Sequence, residues 1–425
     1  MKDIQGMEMI QTKHYTMFKG SWAALLVLLF SFQAGPAFSQ GNLHIGRLKV
    51  TTGLTYKLAY NDNIFAERTN EEEDFIHTVT PAVQFDYAGT PGNFFSAGYK
   101  ADLVAYSDFS DNNYQSHRPF VSLGIKTPVG FYFRAKDFFK QTADPYGTVN
   151  QYGIGSKTNR YDNTADFAVG YDFFERFGVE AIYRYYIIRY DLREDEWQDR
   201  SDHRYGATFF YKLSPKTSVF FQYRRTQAEY DEQNDGVLGW RSATSQDYTL
   251  NDYFLGARSE PGGKLNGQIK IGYGDKNFDN TIDKDDKRYQ DLSSWIAETL
   301  LNWQARQRTR WTFKLSRSHQ GSPDADAASY IDTIIGLGLN QGMANRLTLK
   351  LGFEYNKNDY QNEVAGRPDK YFDIYTHTAG LDWAINEWLT AGLSYKRLNK
   401  TASNAQYKTS EYDSNILAVF LRAVY

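Results

Sequence analysis

The chain has 425 residues, a formal charge of −3, no Cys, 33 Gly, 10 Pro, and 8 Trp, 33 Tyr and 29 Phe. The lack of cysteine excludes disulfides, Cys-ligated zinc and Cys-held iron–sulfur clusters, and the charge balance excludes a globally basic nucleic-acid binder. The aromatic content and the patterning exclude a disordered chain, while Ile, Leu and Val are thin for a soluble core of this size.

Lys13 and Lys19 precede the apolar run Trp22–Phe30, and Gly35, Pro36 and the small-x-small triplet Ala37-Phe38-Ser39 follow it. That order predicts a secretory signal peptide over residues 1–39, cleaved after Ser39. The apolar run is about half of the roughly 20 residues that a spanning helix needs. Residues 40–425 then form one exported domain with 45 basic and 49 acidic groups.

From residue 50 onward the chain has period two. Phe75, His77, Val79, Pro81, Val83, Phe85 and Tyr87 alternate with Ile76, Thr78, Thr80, Ala82, Gln84 and Asp86. Successive strand side chains point to opposite faces, so each such run has a greasy face and a wet face. Eighteen runs are predicted, at 50–60, 75–87, 94–106, 115–126, 131–141, 160–172, 177–188, 204–213, 218–228, 247–258, 265–274, 290–303, 308–317, 328–339, 347–356, 371–383, 389–398 and 412–425. Pro81 and Pro119 fall inside runs, where proline cannot donate a ladder bond, and predict bulges or rim positions.

The connections alternate in character. Short ones (Ala88–Asn93, Thr127–Gly130, Phe173–Arg176, Ser214–Thr217) trade with longer polar ones (Asn61–Asp74, Thr142–Asn159, Arg189–His203, Tyr230–Gln246) along the chain. Short turns at one end and long loops at the other predict an all-β fold: a transmembrane antiparallel up-and-down β-barrel of about 18 strands, in the outer membrane of a Gram-negative envelope. Runs of roughly 10–13 residues exceed ordinary globular strands and suit a tilted membrane crossing. Thr142–Asn159 is the candidate for a loop folded inward. Asp275–Lys287 reads as a solvated acidic loop. Tyr60, Tyr87, Phe131, Phe177, Trp303, Trp311, Trp383 and Trp388 sit at run ends with outward parity and predict interfacial girdles.

The segment Tyr60-Asn61-Asp62-Asn63-Ile64-Phe65, the acidic stretch Glu71–Asp74, then Phe75-Ile76 and Val79-Thr80-Pro81, resembles the opening of the Putative beta-barrel porin 2 family. The resemblance implies an outer-membrane barrel of a kind often associated with exopolysaccharide or capsule export. Components of such a system would then be partners. It also implies that the barrel-assembly machinery reads the aromatic carboxyl end, here Tyr425 in place of the commoner Phe. The other expected surroundings are outer-membrane lipid and lipopolysaccharide, with no nucleic acid.

Eighteen strands leave room for an aqueous lumen. No G-x-S-x-G or phosphate-binding loop is present, and no two of the seven histidines stand at metal-ligand spacing. The reading is therefore of a pore without catalytic residues, metal or cofactor. Its competitors are a general diffusion porin and, further off, a barrel enzyme or structural anchor. The wet parity carries 20 basic and 11 acidic residues, or +9, so the remainder of the mature chain carries −13. Arg134, Lys136, Lys140, Arg184, Arg204, Lys212, Arg224, Arg308, Arg310, Lys314 and Lys350 are the candidate pore-lining contacts for anion or saccharide. Arg134, Lys136 and Lys140, with Arg308, Arg310 and Lys314, are the favoured cluster. Phe138, Tyr186, Phe210 and Phe220 have inward parity and are candidates for sugar stacking. The competing view is that these charges pair across strands and only satisfy one another.

Overall fold

The computed structural model describes residues 43–90, 92–144, 158–192, 195–231, 246–259, 262–279, 289, 291–322, 329–361 and 369–425. The leader, and the interior of the loop after Asp144, lie outside them. Nineteen strands follow in order: β1 (Leu43–Ile45), β2 (Leu48–Asn61), β3 (Asp74–Ala88), β4 (Phe94–Tyr106), β5 (Tyr114–Lys126), β6 (Phe131–Asp144), β7 (Thr158–Phe173), β8 (Phe177–Tyr190), β9 (Arg200–Ser214), β10 (Thr217–Tyr230), β11 (Tyr248–Ser259), β12 (Leu265–Phe278), β13 (Leu292–Arg306), β14 (Thr309–Gly321), β15 (Ser329–Gly342), β16 (Leu347–Tyr360), β17 (Lys370–Ala384), β18 (Leu389–Ala402) and β19 (Tyr412–Val424). Each of β2–β19 pairs antiparallel with its chain neighbours, and β19 returns to β2 to close an 18-stranded barrel. All eighteen expected runs are present. The short β1 was not anticipated; it pairs with Leu48–Val50, the part of β2 that extends past the end of β19.

Most strands overrun the expected limits at the long-loop end. β16 continues to Tyr360 through Lys357, Asn358 and Asp359, and β12 continues to Phe278. The alternation that marks a strand needs lipid on one side. Beyond the membrane both faces meet water, the pattern fades, and the hydrogen-bond ladder carries on. The acidic stretch from Asp275 accordingly begins inside β12, where Asp275 accepts from Ser293 Oγ (2.6 Å), while residues 280–288 lie outside the described ones.

Outward parity sets two aromatic belts. Tyr87, Phe131, Phe177, Trp303, Trp311, Trp383 and Trp388 ring the short-turn end, as expected, whereas Tyr60 stands at the long-loop end. A second belt there holds Tyr56, Tyr205, Tyr253, Tyr273, Trp295, Tyr355 and Tyr375. Trp303 and Trp295, like Trp383 and Tyr375, are eight residues apart on one strand. With about 3.3 Å rise per residue and a tilt of about 40° this spans roughly 20 Å, close to the ~25 Å apolar band of such barrels. In such barrels the short turns are the periplasmic ones, and both β2 and β19 have their outer ends on that side here.

The seam between β2 and β19 is locked at both ends. At the long-loop end the Asp62 carboxylate accepts from Asn415 N (2.6 Å) and Asn415 Nδ2 (2.7 Å), and buried Asn63 donates to the carbonyls of Asp413 (2.8 Å) and Glu67 (2.7 Å). At the other end Tyr425 exchanges two backbone bonds with Thr52 and stacks on Trp388 at 5.4 Å. Pro81 and Pro119 produce no bulge. The ladder simply skips them, toward β4 and β6 respectively, with the register unchanged.

Candidate pore lining

The inner face is defined by contacts that skip strands, which only a concave surface brings within reach. Arg134 on β6 pairs with Glu180 on β8, and Lys314 on β14 with Glu354 on β16 at 3.0 Å. Arg224 on β10 reaches Glu298 on β13 at 2.6 Å. All eleven candidate basic residues lie on this face or, for Arg308, in the turn leading onto it. Inward aromatics lie flat where the next strand offers glycine. A Cβ on Gly170 would fall 2.1 Å from the Tyr132 ring, so that position must be bare for Tyr132 to reach Glu180 at 2.9 Å.

The wall formed by β8–β12 is filled. Phe210, Phe220, Gln222, Arg224, Phe254 and Lys270 point inward and are buried. Arg224 donates to Asp252 (2.8 Å) and Glu298 (2.6 Å), and Lys270 to Glu298 (2.6 Å) and Gln222 (3.0 Å). The Phe254 ring, 1% exposed, lies between the Arg224 guanidinium at 4.5 Å and the Lys270 ammonium at 4.4 Å. Buried charges persist only when paired and hydrogen-bonded, and these are. Beside them a cavity of about 620 Å³ is lined by both signs, among them Arg134, Lys136, Arg184, Arg204, Asp166 and Asp202.

The long-loop end of the lumen carries an inward collar of Tyr190, Tyr230, Tyr248, Tyr330, Tyr360 and Phe372, all buried. Cations are sandwiched into it: Lys276, 1% exposed, sits 3.9 Å from the Tyr248 centroid and 4.6 Å from that of Phe278. The end of β14 leans across this region. Lys276 Nζ donates to the Gln320 carbonyl (3.5 Å), and a Cβ on Gly321 would lie 2.5 Å from the Tyr230 hydroxyl on β10. In the loop before β9, Asp199 accepts from Tyr190 N (2.8 Å), and burial pushes its carboxyl up to about 6. The ends of the loop expected to fold inward are buried at Ala143, Asp144 and Thr158; its middle lies outside the described residues.

The short-turn end is open. Arg308 and Arg310 are exposed there and, among the described residues, hold neutral partners, Asn345 Oδ1 at 2.9 Å and Gln304 Oε1 at 3.1 Å. Lys350 and Arg422 share Asp382, at 2.5 and 3.6 Å.

The candidates therefore divide. Arg134, Arg184, Lys212, Arg224, Lys314 and Lys350 each have a carboxylate partner. Lys136, Lys140, Arg204, Arg308 and Arg310 have none among the described residues. The favoured cluster is not one site: β6 and β14 are eight strands apart in a ring of eighteen, almost diametrically opposed. Phe138 is open to the lumen at 43% exposure. Phe210 and Phe220 are instead buried beneath the Arg258 guanidinium, at 4.8 and 5.7 Å, so no face is free for stacking. Arg200 lies 5.8 Å over the half-buried Tyr186. The aromatic collar was missed for two reasons: Tyr190, Tyr230 and Tyr360 lie past the ends of the expected runs, although Tyr186-x-x-x-Tyr190 and Ala228-x-Tyr230 continue the alternation, and Tyr248, Tyr330 and Phe372 fall inside runs but meet the others only across strands. Lys57, Lys100 and Lys396 were counted on the wet face without being singled out; all three are exposed in the lumen.

Among solved structures, Pseudomonas aeruginosa OccK2 (OpdF) is similar with 10% identity, over 91% of this chain and 99% of its own, at a TM-score of 0.47. The siderophore receptor PiuA from Acinetobacter baumannii aligns with 10% identity over 90% and 82%, at a TM-score of 0.45. The FrpB iron transporter from Neisseria meningitidis (F3-3 variant) aligns with 9% identity at a TM-score of 0.41; 84% of this chain spans 63% of its length. No curated protein matches the sequence. The model of the family described as Putative beta-barrel porin 2 matches residues 36–425, nearly the whole chain, and the chain belongs to that family of outer-membrane β-barrel porins.

Proposed function

We propose that the barrel conducts anionic or polar saccharide through a net-basic lumen. One observation carries the reading. Among the inward cations, Lys57, Lys100, Lys136, Lys140, Arg204, Arg258, Arg308, Arg310 and Lys396 have no carboxylate partner among the described residues. The inward acids without a cation are fewer: Asp74, Asp86 and Asp332. They are already occupied by neutral donors, namely backbone N–H groups for Asp74, Ser96 and Gln84 for Asp86, and Asn358 for Asp332. A wall of one sign focuses its field into a narrow passage and raises the local concentration of opposite charge. Rings of Lys and Arg favour anions, and guanidinium meets carboxylate in bidentate fashion. Family membership supports passage through a pore, and the association of such barrels with exopolysaccharide export supports the substrate class.

Reversal potentials across planar bilayers in a salt gradient test the reading. Anion selectivity is expected. Arg134→Ala removes a cation and also releases the Glu180 carboxylate, so it shifts selectivity toward cations more than Arg310→Ala does. A cation-selective wild type, or selectivity that neither substitution moves, overturns the proposal.

A further inference from the structure

We propose that the short-turn mouth holds a binding site for an oligosaccharide that bears carboxylates on successive sugars. The site is built on the arc β12–β16 around Arg308 and Arg310. The proposal rests on the pore reading above and goes beyond it, because it places capture at one mouth, the short-turn one.

Two cavities, of about 680 and 370 Å³, lie side by side on this arc and share Gln304 and Arg310 in their linings. Each is within the size range of small-molecule sites. Among the described residues no carboxylate lines either cavity. The larger adds Arg308, Lys350 and Asn340; the smaller adds Asn302 and Asn266. This combination is specific in its chemistry. Guanidinium groups donate to both oxygens of a carboxylate at once, and side-chain amides, with both donors and an acceptor, suit vicinal hydroxyls. The smaller cavity has amides and one arginine, which fits a largely hydroxylated stretch; the larger has two arginines without a carboxylate partner among the described residues and Lys350, which shares Asp382 with Arg422, and this fits repeated negative charge.

The spacing favours a polymer over a single anion. Arg308 and Arg310 are two residues apart, and Lys350 stands two strands from Arg310 through β15. These separations are about 7 and about 10 Å. One small anion cannot meet all three cations, whereas consecutive charged sugars can, and each contact after the first forms at high effective concentration. On the opposite arc of the same mouth Lys126 and Lys212 both turn to Asp172, at 3.7 and 3.1 Å, as Lys350 and Arg422 turn to Asp382 here; what this arc adds is Arg308 and Arg310.

Titration calorimetry on the folded barrel in detergent tests the site, with an oligogalacturonate of six units, maltohexaose and monomeric galacturonate as probes. The oligogalacturonate is expected to bind, with affinity that falls steeply with salt, and the two other probes far more weakly. Arg308→Ala and Arg310→Ala should each weaken it about 10- to 100-fold, the loss expected of one charge-assisted contact. Arg310→Lys should fall between wild type and Arg310→Ala, and Arg225→Ala, on the outward face, should change nothing. Electrophoretic mobility without heating reports that each variant is folded. Equal binding of maltohexaose, or oligogalacturonate affinity unchanged in both alanine variants, overturns the site. If the wild type is then still anion-selective in bilayers, the pore reading survives; if it is cation-selective, that reading fails as well.

Discussion

The two ends of the lumen use the same residue types on the same parity to opposite ends. At the long-loop end Arg160 is clasped by Asp144 at 2.5 Å and by Asp162, and Lys276 is enclosed by aromatic rings. At the short-turn end Arg308 and Arg310 face open space with amide partners. An inward cation is part of the scaffold where the lumen is filled and available to a ligand where it is open. Parity alone assigns both to the wet face; the neighbours on the next two strands decide which role each plays.

The largest effect should come from breaking the filled side. Glu298 neutralises both Arg224 and Lys270, whose side chains are 9% and 4% exposed. Glu298→Gln leaves two buried cations against Asp252 alone, and removing one partner of a buried pair costs about 3–5 kcal/mol. Urea unfolding in lipid vesicles, followed by tryptophan fluorescence, should show that loss, and reversal potentials should move toward anions, because Glu298 and Arg224 both line the luminal cavity. An unchanged unfolding midpoint would mean that the wall is not held by this network.

A second comparison sets the two faces against each other. Leu255 points outward from β11 at 66% exposure, between the aromatic belts. Leu255→Arg should cost about 2–4 kcal/mol in vesicles, as a guanidinium near the bilayer midplane does in such barrels. Thr312→Arg, on the inner face beside the short-turn cavities, should cost within about 0.5 kcal/mol and should raise anion selectivity. If the two variants were equally destabilised, the inward and outward parities would be misassigned.

The family motif sharpens the picture at the seam. Asp62→Ala removes both bonds to Asn415 and leaves that end of the β2–β19 junction to fray. A loss of about 1–3 kcal/mol is expected for a doubly used, charged acceptor, and Asp62→Asn should recover part of it. A fully stable Asp62→Ala variant would assign the motif to something other than barrel closure.

Much of this was legible because lipid imposes a strict alternation. The run 94–106 and the turn 127–130 stand where the periodicity put them. Legibility ended where the lipid ends. Lys357-Asn358-Asp359 has no greasy face, so the top of β16 carried no signal, and the aromatic collar showed only as single residues at or past the ends of separate runs. The site was half legible. Sign and face could be counted along the chain, but whether Arg134 is answered by Glu180, 46 residues away, depends on packing across two strands. Likewise Asn61-Asp62-Asn63 announced a family without announcing a seam, because its partners Asp413 and Asn415 are about 350 residues distant.

The smallest expected effect is also the most discriminating one. Arg310→Ala deletes a charge from the same lumen as Glu298→Gln, yet it should alter unfolding free energy by no more than about 0.5 kcal/mol. The Arg310 side chain is exposed, it donates to a neutral amide, and the Gln304 amide nitrogen keeps its contacts with the carbonyls of Arg306, Gln307 and Thr309 when the guanidinium is gone. A residue kept by the fold for its own sake would show a cost. One that stands in open water with its donors unspent should show none, so a clear loss of stability in this variant would move Arg310 from the ligand-facing group to the scaffold.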